Sequence, residues 1–170
     1  VAAVPAYLAG VRFSSTSIAD VNGDGNLDLL VNGSNADGIS ATLYLGDGDG
    51  GFTEASSALT GTIIGSASAA DVDGDGNTDL LITGRDANDS PTATLYLGDG
   101  QGGFSKAGAG LTGVEFSSSS IADVDGDGNK DLLITGENAN LNRTATLYLG
   151  DGQGGFSEAS AGLTGVEGAS

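Results

Sequence analysis

One nine-residue pattern occurs three times, and its spacing restricts the possible folds more than any other feature of the chain. It reads Asp20-Val-Asn-Gly-Asp-Gly-Asn-Leu-Asp28, Asp71-Val-Asp-Gly-Asp-Gly-Asn-Thr-Asp79 and Asp123-Val-Asp-Gly-Asp-Gly-Asn-Lys-Asp131. Leu-Tyr-Leu-Gly-Asp-Gly segments begin at Leu43, Leu95 and Leu147, and Gly-Gly-Phe turns end at Phe52, Phe104 and Phe156. The period is 52 residues, with one residue deleted from the first copy between Asp28 and Leu43. Thr92 to Ser105 is identical to Thr144 to Ser157. Repetition at this length marks solenoids and propellers, in which each unit buries its apolar faces against its neighbours.

Each repeat predicts four short strands. The first is small and apolar, Ser17 to Val21, with counterparts at Ser68 to Val72 and Ser120 to Val124. The acidic loop follows. The second strand is Leu29 to Val31, matched by Leu80 to Ile82 and Leu132 to Ile134. The third is Ala41 to Leu45, whose alternation puts Leu43 and Leu45 on one face. A glycine-rich turn leads to a weaker fourth strand from Phe52. No window keeps a helical period. The expected class is all-β, with propeller-type blades. The division is a surplus outer-strand segment over 1–16, then repeats over 17–67, 68–119 and 120–170. Small residues on the first strand (Ala19, Ala70 and Ala122, flanked by Ser) suit the crowded innermost position.

The loops carry the chemistry. Oxygen side chains fall at loop positions 1, 3, 5 and 9, with glycine at 4 and 6. This is a cage for a hard cation, and calcium suits it best. A helix-flanked calcium hand needs an acid at position 12. Here those positions are Val31, Ile82 and Ile134, inside strand-like runs. The formal charge is −18, and eleven of the 23 acids lie in the three loops. Such a chain repels nucleic acid and anionic membranes, and no apolar run is long enough to insert into a bilayer. Clustered carboxylates without a cation should weaken the fold.

The chain has no Cys, His, Met or Trp. Disulfides, thiol nucleophiles, Cys/His zinc sites and a Ser-His-Asp triad are therefore excluded. The loops commit the paired carboxylates to a cage, so no catalytic residue is expected and the chain is read as a non-enzyme. A moderate oxygen cage fills most easily where calcium is millimolar, which points to the cell surface or outside the cell. The absence of an initiator Met suggests a mature product, an excised fragment or a designed chain. The Gly-Asp-Gly-x-Gly-Gly turns lack the Lys and the following helix of a phosphate loop and are expected to be plain hairpin turns. Tyr44, Tyr96 and Tyr148, with Phe52, Phe104 and Phe156, occur once per repeat and are expected in the core. Phe13 and Phe116 are expected just before the first strand. Asn32-Gly-Ser34, Asn88-Asp-Ser90 and Asn142-Arg-Thr144 match a glycosylation pattern that chance explains.

The Asp-x-(Asp/Asn)-Gly-Asp-Gly-Asn-x-Asp loop, followed by Leu-Leu-(Val/Ile) and then Gly-Gly-Phe, resembles the FG-GAP/VCBS-type repeat. That repeat is the blade of integrin α-subunit propellers and of many bacterial surface proteins. The resemblance spans all three repeats. It implies a β-propeller with calcium loops between the first and second strands of each blade, and about one Ca2+ per repeat, three per chain. Side-chain ligands would be Asp20, Asn22, Asp24 and Asp28 in the first loop, with the carbonyl of Asn26. The second loop would use Asp71, Asp73, Asp75 and Asp79 with the Asn77 carbonyl. The third would use Asp123, Asp125, Asp127 and Asp131 with the Asn129 carbonyl. Asn22 replaces a charged ligand by a neutral one, so the first site is expected to be weakest.

Propellers close with about four to eight blades. Three repeats imply closure by self-association, as a dimeric ring or a filament, or further blades from a larger protein. The expected role is a calcium-stabilised structural or binding module of an extracellular or adhesive assembly, open to a protein or glycan ligand. The alternatives are a lectin-like propeller and an engineered propeller fragment without a ligand.

Overall fold

Glycine turns cut the chain into short runs rich in Leu, Ile, Val, Thr and Ser, and each run forms a strand. The computed structural model describes Leu8, residues 10–159 and Leu163. Twelve strands follow in order: β1 (Arg12–Ala19), β2 (Asp28–Asn35), β3 (Gly38–Gly46), β4 (Phe52–Ala55), β5 (Ala67–Ala70), β6 (Asp79–Arg85), β7 (Pro91–Gly98), β8 (Phe104–Lys106), β9 (Val114–Ala122), β10 (Asp131–Asn138), β11 (Arg143–Gly150) and β12 (Phe156–Glu158). No helix occurs among the described residues, and so none is long and apolar enough to cross a membrane. Within each repeat consecutive strands pair antiparallel, giving the three four-stranded blades β1–β4, β5–β8 and β9–β12. The second and third blades join into one sheet through the single pair Thr92↔Val114. The sheets do not close on themselves.

The register explains where the core lies. Leu80 pairs with Tyr96 and Leu81 with Leu95 across β6 and β7. Because strand side chains alternate, these two pairs point to opposite faces. Leu80, Ile82 and Tyr96 meet Leu30 of the first blade, with Ala69 and Phe104 beside them. Leu81 and Leu95 face the third blade and pack with Val72, Val114, Leu132, Ile134 and Tyr148. The apolar core therefore lies between blades. The expected core tyrosines are buried, and the Tyr96 and Tyr148 hydroxyls accept from the Thr60 and Thr112 N–H groups at 2.8 and 3.0 Å. Strands β7 and β11 carry the same Thr-Ala-Thr-Leu-Tyr-Leu-Gly sequence and the same register, Leu132 pairing with Tyr148 as Leu80 pairs with Tyr96.

The first strands of the blades lie side by side, β1 next to β5 and β5 next to β9. Small residues permit this approach, and hydroxyls connect it: Ser68 Oγ lies 2.8 Å from Ser119 Oγ, and Thr83 Oγ1 lies 2.7 Å from Ser117 Oγ. Main-chain bonds also cross between blades. Ile64 N–H donates to Phe13 O and Ser117 N–H donates to Ile64 O, both at 3.2 Å. Phe13, Ile64 and Phe116, one per blade, take φ of 52°, 49° and 46°. That region is strained for side chains of this size.

Several strand limits differ from the sequence expectation. The first strands run Arg12–Ala19 and Val114–Ala122, starting earlier than Ser17 and Ser120 and ending before the Asp-Val pair. Phe13 and Phe116 therefore lie inside strands and not ahead of them, and both are exposed. Val21 and Val72 belong to the acidic loops and are buried there. The second and third strands extend into polar ends, Gly33 to Asn35 and Gly38 to Ser40, which periodicity does not mark. Half of the surplus segment over 1–16, residues 1–7 and 9, lies outside the described residues. The part that is described begins β1.

Candidate metal centres

Each acidic loop folds around its own carboxylates. The position-1 aspartate caps the two glycine turns. Asp20, Asp71 and Asp123 accept through Oδ1 from Gly23, Gly74 and Gly126 N–H at 2.8, 2.8 and 2.7 Å. Through Oδ2 they accept from Gly25, Gly76 and Gly128 N–H at 2.9, 3.0 and 3.0 Å. All six glycines have φ between 71° and 95°, so the curl of the loop requires them. The position-3 residues Asn22, Asp73 and Asp125 accept from the Asp24, Asp75 and Asp127 N–H groups at 3.1, 3.2 and 3.1 Å. Those position-5 aspartates in turn accept from Asn26, Asn77 and Asn129 N–H at 2.8, 2.7 and 2.8 Å.

The position-9 aspartate does something different. Asp28, Asp79 and Asp131 are fully buried. Their Oδ2 atoms accept from Val21, Val72 and Val124 N–H, each at 2.8 Å. Their Oδ1 atoms accept from Gly46, Gly98 and Gly150 N–H at 2.9, 2.9 and 3.0 Å. One carboxylate thus ties the start of the loop, the second strand and the end of the third strand together. Charged acceptors make such bonds strong. Spacing alone marks this residue as an oxygen donor, and its second role as a staple has no sequence signal.

Asp71, Asp73 and Asp79 each present a carboxylate oxygen within 4.8 Å of the others, and so do Asp123, Asp125 and Asp127. Oxygens bound to one calcium at 2.3–2.6 Å can lie no more than about 5 Å apart, so both sets fit a hard cation. The donors are all oxygen, with no sulfur or imidazole, which suits calcium or magnesium over zinc. Asp131 stands outside the third cluster. The first loop, where Asn22 replaces an acid, brings no three acids together. The position-7 residues use their side chains as well: Asn77 and Asn129 Nδ2 donate to Asp75 and Asp127 Oδ2 at 2.8 and 2.9 Å. A Cβ at Gly98 would collide with the Thr78 carbonyl, so glycine is required where the third strand meets the loop.

Electrostatics differ between loops. Burial pushes the Asp79 carboxyl above its ordinary value, against the N–H bonds from Val72 and Gly98, and the Asp73 and Asp75 charges add to the rise. The Asn26 N–H, then the side chains of Asn22 and Asn26, hold the Asp24 carboxyl below its ordinary value. The Gly-Asp-Gly-x-Gly-Gly turns are self-contained hairpin turns. Asp99 Oδ1 accepts from Gln101 and Gly103 N–H at 2.8 and 2.9 Å, and these bonds lower its carboxyl. Asn32, in the first glycosylation pattern, is buried and bonds to Thr62 through both amide atoms, at 2.7 and 2.8 Å.

Four-stranded antiparallel blades, small residues innermost and an oxygen cage between the first two strands define a propeller-type repeat protein with cation-fitted loops. The FG-GAP-like repeat family matches twice, over residues 20–82 and 71–134, which together span more than half of the chain. The protein belongs to that family. No curated protein matches it.

Proposed function

We propose that the chain is a calcium-stabilised structural and binding module of an extracellular or cell-surface assembly, holding one calcium per blade and completing its propeller by association. The observation that carries this is the threefold repetition of one loop geometry, with two of the loops converging three carboxylates to within the span of a single ion. In the second loop Asp71, Asp73 and Asp79 would hold the ion. In the third, Asp123, Asp125 and Asp127 would do so. In the first, Asp20, Asp24 and the Asn22 amide oxygen would, with less charge. A bound divalent cation neutralises the mutual repulsion of these groups and adds its binding free energy to folding.

The carboxylates serve as loop caps, staples and cation ligands, and we assign them no catalytic role. Tyr44, Tyr96 and Tyr148 are buried, and the Tyr96 and Tyr148 hydroxyls are engaged, so these three offer no stacking platform for a sugar. Isothermal titration of the metal-free protein with calcium tests the proposal. Binding at two or three sites, with a higher melting temperature in calcium than in chelator, is expected. No heat and no thermal shift would overturn it.

A further inference from the structure

The outer faces of the first and third blades are copies of faces that are buried inside the chain. Val21 and Val72 are 3% and 1% exposed, Val72 packing against the third blade, whereas their counterpart Val124 is 55% exposed. Leu30 and Leu81 are 2% and 0% exposed, whereas Leu133 is 37% exposed. The first blade shows the reciprocal face. Ile18 occupies the position of Ala69 and Ile121, which pack into the two inter-blade cores, yet it is 61% exposed. Leu27 occupies the position of Thr78, whose Oγ1 donates across to the Asp20 carbonyl of the preceding blade at 2.7 Å, and it is 62% exposed. By repeat equivalence, the Ile18 face is the counterpart of the one that packs on Leu30 and Leu81, and so matches Leu133, and Leu27 likewise matches Val124, apolar against apolar.

The charges fit as well. Between the second and third blades, Arg85 reaches Glu115, which is buried, and also pairs with Asp89 at 3.1 Å. Arg85 directly follows Gly84, and Glu115 directly precedes the left-handed Phe116. Those same positions on the open flanks hold Glu137, directly after Gly136, and Arg12, directly before the left-handed Phe13. The two positions recur with their charges exchanged. Arg12 lies exposed, its guanidinium 5.7 Å from the Phe13 ring centre. Glu137 is half-buried, opposite Arg143 in the β10–β11 ladder.

We infer that the two open flanks are the halves of one interface. A second copy of this chain docks head to tail, with its Arg12, Ile18 and Leu27 on Glu137, Leu133 and Val124 of the first. This rests on self-association, which it deepens by naming the surfaces and their polarity. A head-to-tail contact of this kind closes into a ring or grows into a filament, according to the rotation between copies.

Charge exchange tests it. Mass by light scattering in calcium should exceed the 16.5 kDa of one chain. Arg12→Glu alone and Glu137→Arg alone each place like charges across the contact and should weaken association about tenfold or more. Mixing the two variants restores opposite charges at both contacts of a two-copy ring, so association should return on mixing. Recovery on mixing cannot come from misfolded chains, and circular dichroism of each variant checks the fold independently. A wild-type chain that stays monomeric overturns self-association itself. An assembly that both variants leave intact, or that mixing fails to restore, leaves self-association standing and overturns these surfaces.

Discussion

The aspartates of one loop divide into those that also hold the fold and those that only face the candidate cation site. Asp79 is of the first kind: both of its oxygens accept main-chain N–H bonds in a buried setting. Asp79→Ala removes both acceptors and leaves two donors unpaired, and should cost about 3 kcal/mol in urea denaturation of the metal-free protein. Asp73 accepts one long bond at the surface of the loop. Asp73→Ala should change metal-free stability by no more than about 0.5 kcal/mol and yet weaken calcium binding in the second loop. Equal losses of metal-free stability would refute the division. The raised Asp79 and lowered Asp24 carboxyls can be read from carboxyl carbon shifts in an NMR titration of the metal-free chain. For Asp79 the folded state binds the proton more tightly than the unfolded chain does. Its charge therefore costs stability as pH rises through the folded value, a cost that calcium should cancel. Asp24 has the opposite sign: its contribution is present above its unfolded value and is lost as pH falls through the depressed folded one.

At the scale of the element, strand order and the place of each loop were legible because side-chain alternation and glycine turns repeat with the period. The strand ends were not legible. Apart from Phe13, Arg12 to Thr16 and Gly33 to Asn35 are polar or small, and they extend because the neighbouring strand offers ladder partners, which no local pattern records. The oxygen-bearing loop positions were legible as spacing, whereas the staple formed by Asp28, Asp79 and Asp131 depends on where the Gly46, Gly98 and Gly150 N–H groups arrive from another strand. The same holds for Arg85 and Glu115, 30 residues apart in sequence. Asn22→Asp gives the first loop the acid that the other two have, and should tighten its calcium affinity toward theirs in a calorimetric titration. An unchanged weak site would show that position 3 does not set the difference.

For the whole molecule, calcium should act as a stabiliser by mass action. At a free concentration a thousandfold above the dissociation constant, each filled site adds about 4 kcal/mol. Chelation should therefore lower the melting temperature clearly, and an unmoved transition in differential scanning calorimetry would exclude that contribution. The shared sequence and register of β7 and β11 bear on how the chain reaches its native state. Within either blade, the second strand meets two segments with the same Thr-Ala-Thr-Leu-Tyr-Leu-Gly stretch, which differ in the ladder only at their first residue, Pro91 against Arg143. Such ambiguity favours swapped pairings between chains when several fold at once. Refolding yield should then fall as protein concentration rises, and the protein has one address written on two strands.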